Sequence, residues 1–382
     1  MGENARVRLT QLVLKTFRNY ERCELEFPPG LVWIVGPNAS GKTNLLEAIH
    51  FACTATSPRT RSDAELVRWG CDGFAIDAFV AVGARRHHIA VRFGGGRGKE
   101  VRLDGVPVAR RSQLLEITGA VCFEPDDLDL VKGSPGGRRR LIDRLGCYGD
   151  RVYAADLVEF AQLLEQRNHL LRDVRARRTA ADLAGLFDDQ YLECVARLRA
   201  RRLRTLMQLE PLLQAGLNAL GGREPLSLRY LEDGHEEHPL RDETLSPEYW
   251  VERGRARLQS LAGEERQRGQ TLWGPQRDDV RFLLDGRDAR AFASQGQQRS
   301  LVLAVKHAEI ELLERALGST PLLLLDDVFS ELDGARSAAL WQRVLGQEQV
   351  FVTSTDAAGP PAGAEPAAVY RVRSGRVERV AG

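Results

Sequence analysis

Gly36-Pro37-Asn38-Ala39-Ser40-Gly41-Lys42-Thr43 fits the spacing G-x-x-x-x-G-K-[ST], and each part of that pattern has a physical task. The glycines let successive backbone N–H groups curl around phosphate oxygens, while a helix starting near Lys42 points its positive dipole end at them. Lys42 then reaches the β- and γ-phosphates, and the Thr43 hydroxyl ligates Mg²⁺. The bland alternative is a chance Gly-rich turn. It is weakened by the context, a fully apolar run Leu31–Val35 before the loop and a helical segment Thr43–Ala52 after it. The pattern predicts a nucleotide-binding site that works with Mg²⁺.

A second acidic signal stands far downstream. Leu322-Leu323-Leu324-Leu325 runs into Asp326-Asp327, so a buried strand delivers two carboxylates to the sheet edge where ligands bind in such folds. Asp326 is placed to hold Mg²⁺, and Asp327 to polarise an attacking water. Alone, a strand followed by a solvated acidic turn is the better explanation. Together with the loop at 36–43, the pair completes a catalytic set: Lys42, Asp326 and Asp327.

Ser294-Gln295-Gly296-Gln297 lies just before the helical segment 297–317, and Ser330-Glu331-Leu332-Asp333 follows Asp327. A Ser–Gly pair at a helix start is a further anion site, or simply an N-cap by Ser294. Its own phosphate loop is remote in sequence. The economical reading is that Ser294, Gly296 and Gln297 cap the γ-phosphate held by another copy of the chain.

The elements needed to position these groups can be read coarsely. The first 150 residues alternate between strands and turns, with an antiparallel meander over 74–105. From about 152 to 220 apolar residues recur at helical spacing. Leu157, Leu164 and Leu171 are spaced by seven, and Arg167 occupies a slot where an apolar residue belongs. A second helix is expected over about 187–209, with Pro211 opening a third. Helices of ~25 residues project only ~40 Å, a compact lobe rather than an arm. Strands resume at Asp278–Leu284, and others follow at 322–325 and 349–353. The expected fold is α/β, with residues 1–151 and 266–382 forming one domain split by a helical lobe at 152–265.

The chain has 382 residues with 54 Lys+Arg against 53 Asp+Glu, a net charge of +1. That excludes attachment to nucleic acid by bulk charge and leaves local patches open. Only five of the cations are lysines. Arginine runs occur at Arg138–Arg140, Arg172–Arg178 and Arg197–Arg204. Each could hold phosphate backbone without reading sequence, or could be a solvated helix face. No apolar run is long enough for a transmembrane helix, and no signal-peptide core stands at the start. The six cysteines show no zinc spacing and sit in apolar stretches, so reduced, packed thiols in a cytoplasmic setting are expected. His87-His88 in an alternating strand is a poor metal site, and Trp33 reads as core.

The order of these motifs is similar to the ATPase heads of ABC transporters and of structural-maintenance-of-chromosomes proteins. The whole chain resembles the RecF family of bacterial recombinational repair proteins. The matching fragments include Phe17-Arg18-Asn19-Tyr20, Leu45–Ile49, Arg59-Thr60, Pro125–Leu128, Gly133-Ser134-Pro135 with Arg138-Arg139, Gln166-Arg167-Asn168 and Gly274–Asp279. The resemblance implies an ABC-type P-loop ATPase head, a mixed sheet with an antiparallel β subdomain, carrying an inserted, mainly helical lobe. It implies a homodimer closing head to head around two ATP molecules on gapped DNA or single/double-strand junctions. RecO and RecR would be its partners in loading RecA, with no membrane partner, and slow DNA-stimulated hydrolysis would release it. It further implies that Arg59 touches the nucleotide, that Glu124 sits where related ATPases carry a metal-sensing Gln, and that Asp333 belongs to the dimer-facing loop.

The chain departs from transporter heads at several positions. The signature Ala293–Gln297 lacks a leading Leu and a doubled Gly, which leaves contacts at Gln295 open. The general base is an Asp, one methylene shorter than Glu. Ser354-Thr355-Asp356 carries no switch His, and Gln276 stands where the family motif has His. Two other classes remain as alternatives. A transporter energising subunit shares the core motifs, and a P-loop kinase leaves 294–297 and 330–333 unexplained.

Overall fold

The apolar run before the phosphate loop becomes strand Gly30–Val35, an inner strand of a six-stranded sheet. Four neighbours run parallel to it or to each other: Ala368–Arg373, Gln349–Ser354, Leu322–Asp326 and Ala120–Phe123. Arg376–Ala381 closes one edge in antiparallel fashion. Leu322–Leu325 and Phe351–Val352 are fully buried, as strands covered on both faces must be. The computed structural model describes residues 7–381 except 61, 97, 111, 151, 332–333, 356–358 and 361–362. Asp333 and Asp356, both singled out from the sequence, lie outside the described residues.

A second, antiparallel six-stranded sheet is built from the N-terminal strands. Its order is Tyr20–Glu26, Val7–Phe17, Gly73–Val82, Arg85–Gly94, Lys99–Leu103, Val106–Pro107. The meander expected over 74–105 is its central portion. Strand Gly73–Val82 alternates between buried Phe74, Ile76, Ala78 and Val80 and half-exposed neighbours, the pattern of a sheet with one face on the core. The helix Lys42–Thr54 is buried nearly all round, from Leu45 to Cys53. It packs against strands of both sheets, so it is a core helix rather than a surface one. Trp33 is buried and stacked on Trp341 at 6.2 Å, as a core residue should be.

These elements make up one compact unit, residues 1–127 and 309–382, and residues 128–308 form a second. The segment read from sequence as a helical lobe, 152–265, lies within the second unit. Helices Tyr153–Arg175, Asp188–Ala219 and Pro247–Arg268 supply core residues including Tyr153, Phe160, Tyr191, Leu198 and Leu258, joined by Trp273 from the segment that follows. Arg167, in the slot that wanted an apolar residue, is 2% exposed. It pairs with Asp188 at 2.9 Å and Glu265 at 2.7 Å and donates to Thr271 at 3.0 Å.

One sequence expectation is corrected here. Pro211 does not open a helix; it sits inside the continuous 32-residue helix Asp188–Ala219. Leu206, Leu209, Leu212 and Leu213 are buried on both sides of it, and that packing overrides the local penalty. The second unit, mainly helical, also carries strands. Leu226–Glu232 and Glu236–His238 join Asp279–Leu284 and Arg287–Asp288 in a four-stranded sheet. Leu226, Leu228 and Tyr230 alternate inward, a period-2 signal too short to stand out among flanking helices.

Candidate functional site

In the first unit the phosphate loop leaves the end of Gly30–Val35 and feeds helix Lys42–Thr54. Its shape demands glycine at two points. Gly41 has φ 118°, and a Cβ there would run into the Asn19 amide; a Cβ on Gly36 would strike the Val372 carbonyl. Ala39, at φ 62°, is held in the left-handed region despite its side chain. Loops of this kind turn their N–H groups inward only if their carbonyls are held outward. Asn19 Nδ2 donates to Ser40 O at 3.0 Å, Gly375 N to the same oxygen at 3.1 Å, and Tyr20 OH to Gly41 O at 2.8 Å. Burial pushes the Tyr20 phenol well above its ordinary pKa, with Cys23 adding to the shift, so it remains a donor.

Lys42 is 7% exposed, and its ammonium donates to Gly36 O at 2.5 Å and Pro37 O at 3.0 Å. Ser40 Oγ, within the loop, is buried and has no hydrogen-bond partner among the described residues. A buried hydroxyl lacking a partner, a cradle that excludes Cβ atoms and a buried ammonium are the features that fit a phosphate group.

The acidic strand end meets the loop directly. Asp326 is 5% exposed. Its Oδ2 accepts from Thr43 Oγ1 at 2.7 Å, and its Oδ1 from Thr353 Oγ1 at 2.6 Å. The parallel register Leu325↔Val352, Asp326↔Thr353 and Ser354↔Val35 brings three strand ends to one edge. Phe123 pairs with Leu325, so Glu124 follows at the same edge. Asp327 leaves the strand at φ 49°, its N–H tied to Thr353 Oγ1 at 3.0 Å. A hydroxyl and carboxylate in contact, flanked by a further carboxylate, form a donor set suited to Mg²⁺.

Around this core lies a polar chain of which only Arg59 has a role expected from the sequence. Arg59 donates to Asn44 Oδ1 at 3.1 Å and Glu47 Oε2 at 3.3 Å; Asn44 donates to Asn19 Oδ1 at 2.8 Å. Glu47, 1% exposed, is gripped by Arg18 through two 2.8 Å bonds and accepts from Ser57. Sequence reasoning assigned no role to Asn19, Asn44, Glu47 or Thr353. Phe17–Tyr20 was noted as a fragment, and its polar pair Asn19-Tyr20 was the available signal.

Ser294, Gly296 and Gln297 fall in the second unit, at the start of helix Gln295–Leu317. Ser294 is exposed. Its Oγ accepts from Gln297 N at 3.2 Å, while Gln297 Oε1 accepts from Ser294 N at 2.9 Å, a reciprocal cap. Gln297 Nε2 also donates to Glu224 at 2.9 Å.

Two of the three arginine runs are not the free surface charge that phosphate binding needs. Arg138 is buried and bidentate with Asp279; Arg199 is fully buried and bidentate with Asp278; Arg202 is buried and bidentate with Asp143. Arg197 and Arg201 pair with Asp156. The fragment Gly274–Asp279 is the acidic hub of this network, with Arg202 also on Pro275 O at 2.6 Å.

The comparisons bear on the whole chain. A family model described as the RecF/RecN/SMC N terminal domain matches residues 8–378. DNA replication and repair protein RecF of Symbiobacterium thermophilum is 40% identical, covering 97% of each chain. That of Moorella thermoacetica is 39% identical, over 93% of this chain and 91% of its own. The chain belongs to the RecF family. The solved structure of the recombination mediator protein RecF with ATP, in the RecFOR pathway, superposes with a TM-score of 0.87 at 30% identity and covers 99% of both chains. An Smc head domain of Pyrococcus furiosus, at TM-score 0.52 and 19% identity, shares the fold. The ATPase-head fold expected from sequence is thereby established, and the RecF match over nearly the full chain disfavours the transporter alternative.

Proposed function

We propose that this chain is an ATP-dependent DNA-binding protein of recombinational repair. The observation that carries the reading is the Thr43–Asp326 hydrogen bond, which joins the phosphate loop to the acidic strand end across 283 residues. The RecF relatives, one of them solved with ATP, support it.

Gly36 to Thr43 cradle the phosphates through backbone N–H groups, and Lys42 exchanges its loop carbonyls for phosphate oxygens. Mg²⁺, held by Thr43 and Asp326 with Glu124 nearby, supplies charge neutralisation at the phosphates. Asp327 orients the water and accepts its proton. Its short side chain on a fixed backbone gives weak, slow turnover, which DNA stimulates. Arg59 reaches the nucleotide from its seat on Asn44 and Glu47. Ser294, Gly296 and Gln297 contact the nucleotide of a second copy, so ATP drives head-to-head dimerisation and hydrolysis reverses it.

The same reading makes residues 1–151 and 266–382 one ATPase domain with 152–265 inserted. It places the protein in the cytoplasm, on gapped DNA or single/double-strand junctions, with RecO and RecR, aiding RecA loading. No helix among the described residues is long and apolar enough to cross a membrane.

The test is solution mass with and without ATP and Mg²⁺, with gapped DNA in parallel, for wild type, Lys42→Met and Ser294→Arg. Wild type doubles only with ATP and holds DNA better when doubled, while both variants stay single. A mass indifferent to ATP, or doubling of Ser294→Arg, overturns the dimer mechanism even if ATP binds.

A further inference from the structure

The third arginine run differs from the other two. Arg172, Arg175, Arg177 and Arg178, at and beyond the end of helix Tyr153–Arg175, are all exposed. The end of helix Pro247–Arg268 meets them, bringing exposed Arg266 and Arg268. Arg175 Nη1 donates to Arg268 O at 3.1 Å, and Gly269 lies against Arg172 and Arg175. Six exposed arginines thus stand at two helix ends that meet, from segments far apart in sequence. The carboxylates bonded within the group are Asp173, on Arg178 at 2.6 Å, and Glu264, on Arg268 at 2.6 Å. Four positive charges remain in excess.

Helix ends attract cations, but two C-termini present only about one negative charge between them, roughly half each. Arg177 and Arg178 lie past the last helical turn. Local helix stabilisation therefore leaves most of the excess unexplained, and exposed like charges repel one another. The surface continues into a cleft of about 160 Å³ lined by Arg268, Arg257, Arg277 and His235, with Glu264 and Asp233 also on its wall; Arg257 and Arg277 share Asp233 at 3.8 and 3.6 Å, so the cleft adds one arginine in excess. The cationic surface is a track rather than a point.

We infer that the joined ends of helices Tyr153–Arg175 and Pro247–Arg268, continued by the Arg257–Arg277 cleft, form the surface on which the phosphate backbone of duplex DNA docks. This rests on the DNA-binding reading above and adds the surface that it leaves open. Guanidinium forks spread along a track contact phosphates without base readout. Binding here is insensitive to sequence and steeply dependent on salt.

Arg172, Arg177 and Arg266 have no ion-pair partner among the described residues, so their removal leaves no buried charge. The experiment follows a labelled duplex oligonucleotide over a salt series with ATP and Mg²⁺. It compares wild type with the triple variant Arg172→Ala/Arg177→Ala/Arg266→Ala, the corresponding triple Lys variant, and a control, Lys15→Ala/Arg22→Ala/Arg85→Ala, on exposed strands of the other unit. The Ala triple should flatten the slope of log affinity against log salt by about 2 to 3, near 0.9 per lost phosphate contact. The Lys triple should keep the wild-type slope, the control should not change it, and melting temperature and ATP binding should stay as in wild type. Failure of the wild type to bind the duplex overturns this surface as a duplex dock, and failure on a gapped duplex as well sinks the DNA reading itself. Wild-type binding with an unchanged slope in the Ala triple, or an equal loss in the control, overturns this surface alone. Leu183 and Leu186, exposed just downstream, would then point to a protein partner instead.

Discussion

The phosphate loop was legible because its information is local: eight consecutive residues carry the glycines, the lysine and the hydroxyl. What holds the loop in shape was not, since Asn19, Tyr20 and Gly375 reach it from remote strands and turns. Asn19→Ala removes the amide bonded to Ser40 O and to Asn44. At about 0.5–1.5 kcal/mol per hydrogen bond, ATP affinity should fall roughly tenfold in titration calorimetry while the fold melts near the wild-type temperature. Unchanged affinity would show that the loop keeps its shape without the clamp. Asp327→Asn tests the neighbouring assignment. The variant keeps the Thr353 tether through its backbone N–H but cannot take a proton, so it should retain ATP and hold a long-lived dimer. Rapid phosphate release from it would remove Asp327 from the base role.

At the scale of elements, the buried strands were readable because continuous apolar runs admit few alternatives, and Gly30–Val35 and Leu322–Asp326 sit within a residue or so of the expected limits. The failures came where packing outweighs local preference. Pro211 is exposed, and its ring occupies a helix interior that Leu206, Leu209, Leu212 and Leu213 hold together from the other side. A proline there costs up to about 3 kcal/mol relative to alanine, part of which is returned by its stiffening of the unfolded chain. Pro211→Ala should therefore stabilise the protein by about 1–2 kcal/mol, read as a higher urea midpoint. A lower midpoint would mean that the helix needs the bend the ring imposes.

For the molecule as a whole, the near-zero net charge conceals a division of labour among its 49 arginines. Charge counting could not separate surface arginines from those committed to the interior, because the acids that pair with Arg138, Arg167, Arg199 and Arg202 lie up to 141 residues away. Glu232 is the clearest member of that interior set. Burial by itself would raise its pKa. The hydrogen bond from His238, the charge of Arg199 and the bonds from Arg253 and Trp273 reverse this and hold the carboxyl far below the ordinary glutamate range. A group depressed in the folded state contributes stability that is fully present above the unfolded pKa, near 4.3, and that drains away as pH falls below it. Glu232→Gln leaves Arg199 and Arg253 short of a buried counter-charge and should cost about 3–5 kcal/mol at neutral pH. Between about pH 5.5 and 3.5 the wild type should lose stability more steeply than the variant, narrowing the gap between their urea midpoints. Parallel midpoints across that range would show that the charge of Glu232 is not what ties the second unit's sheet to its helices.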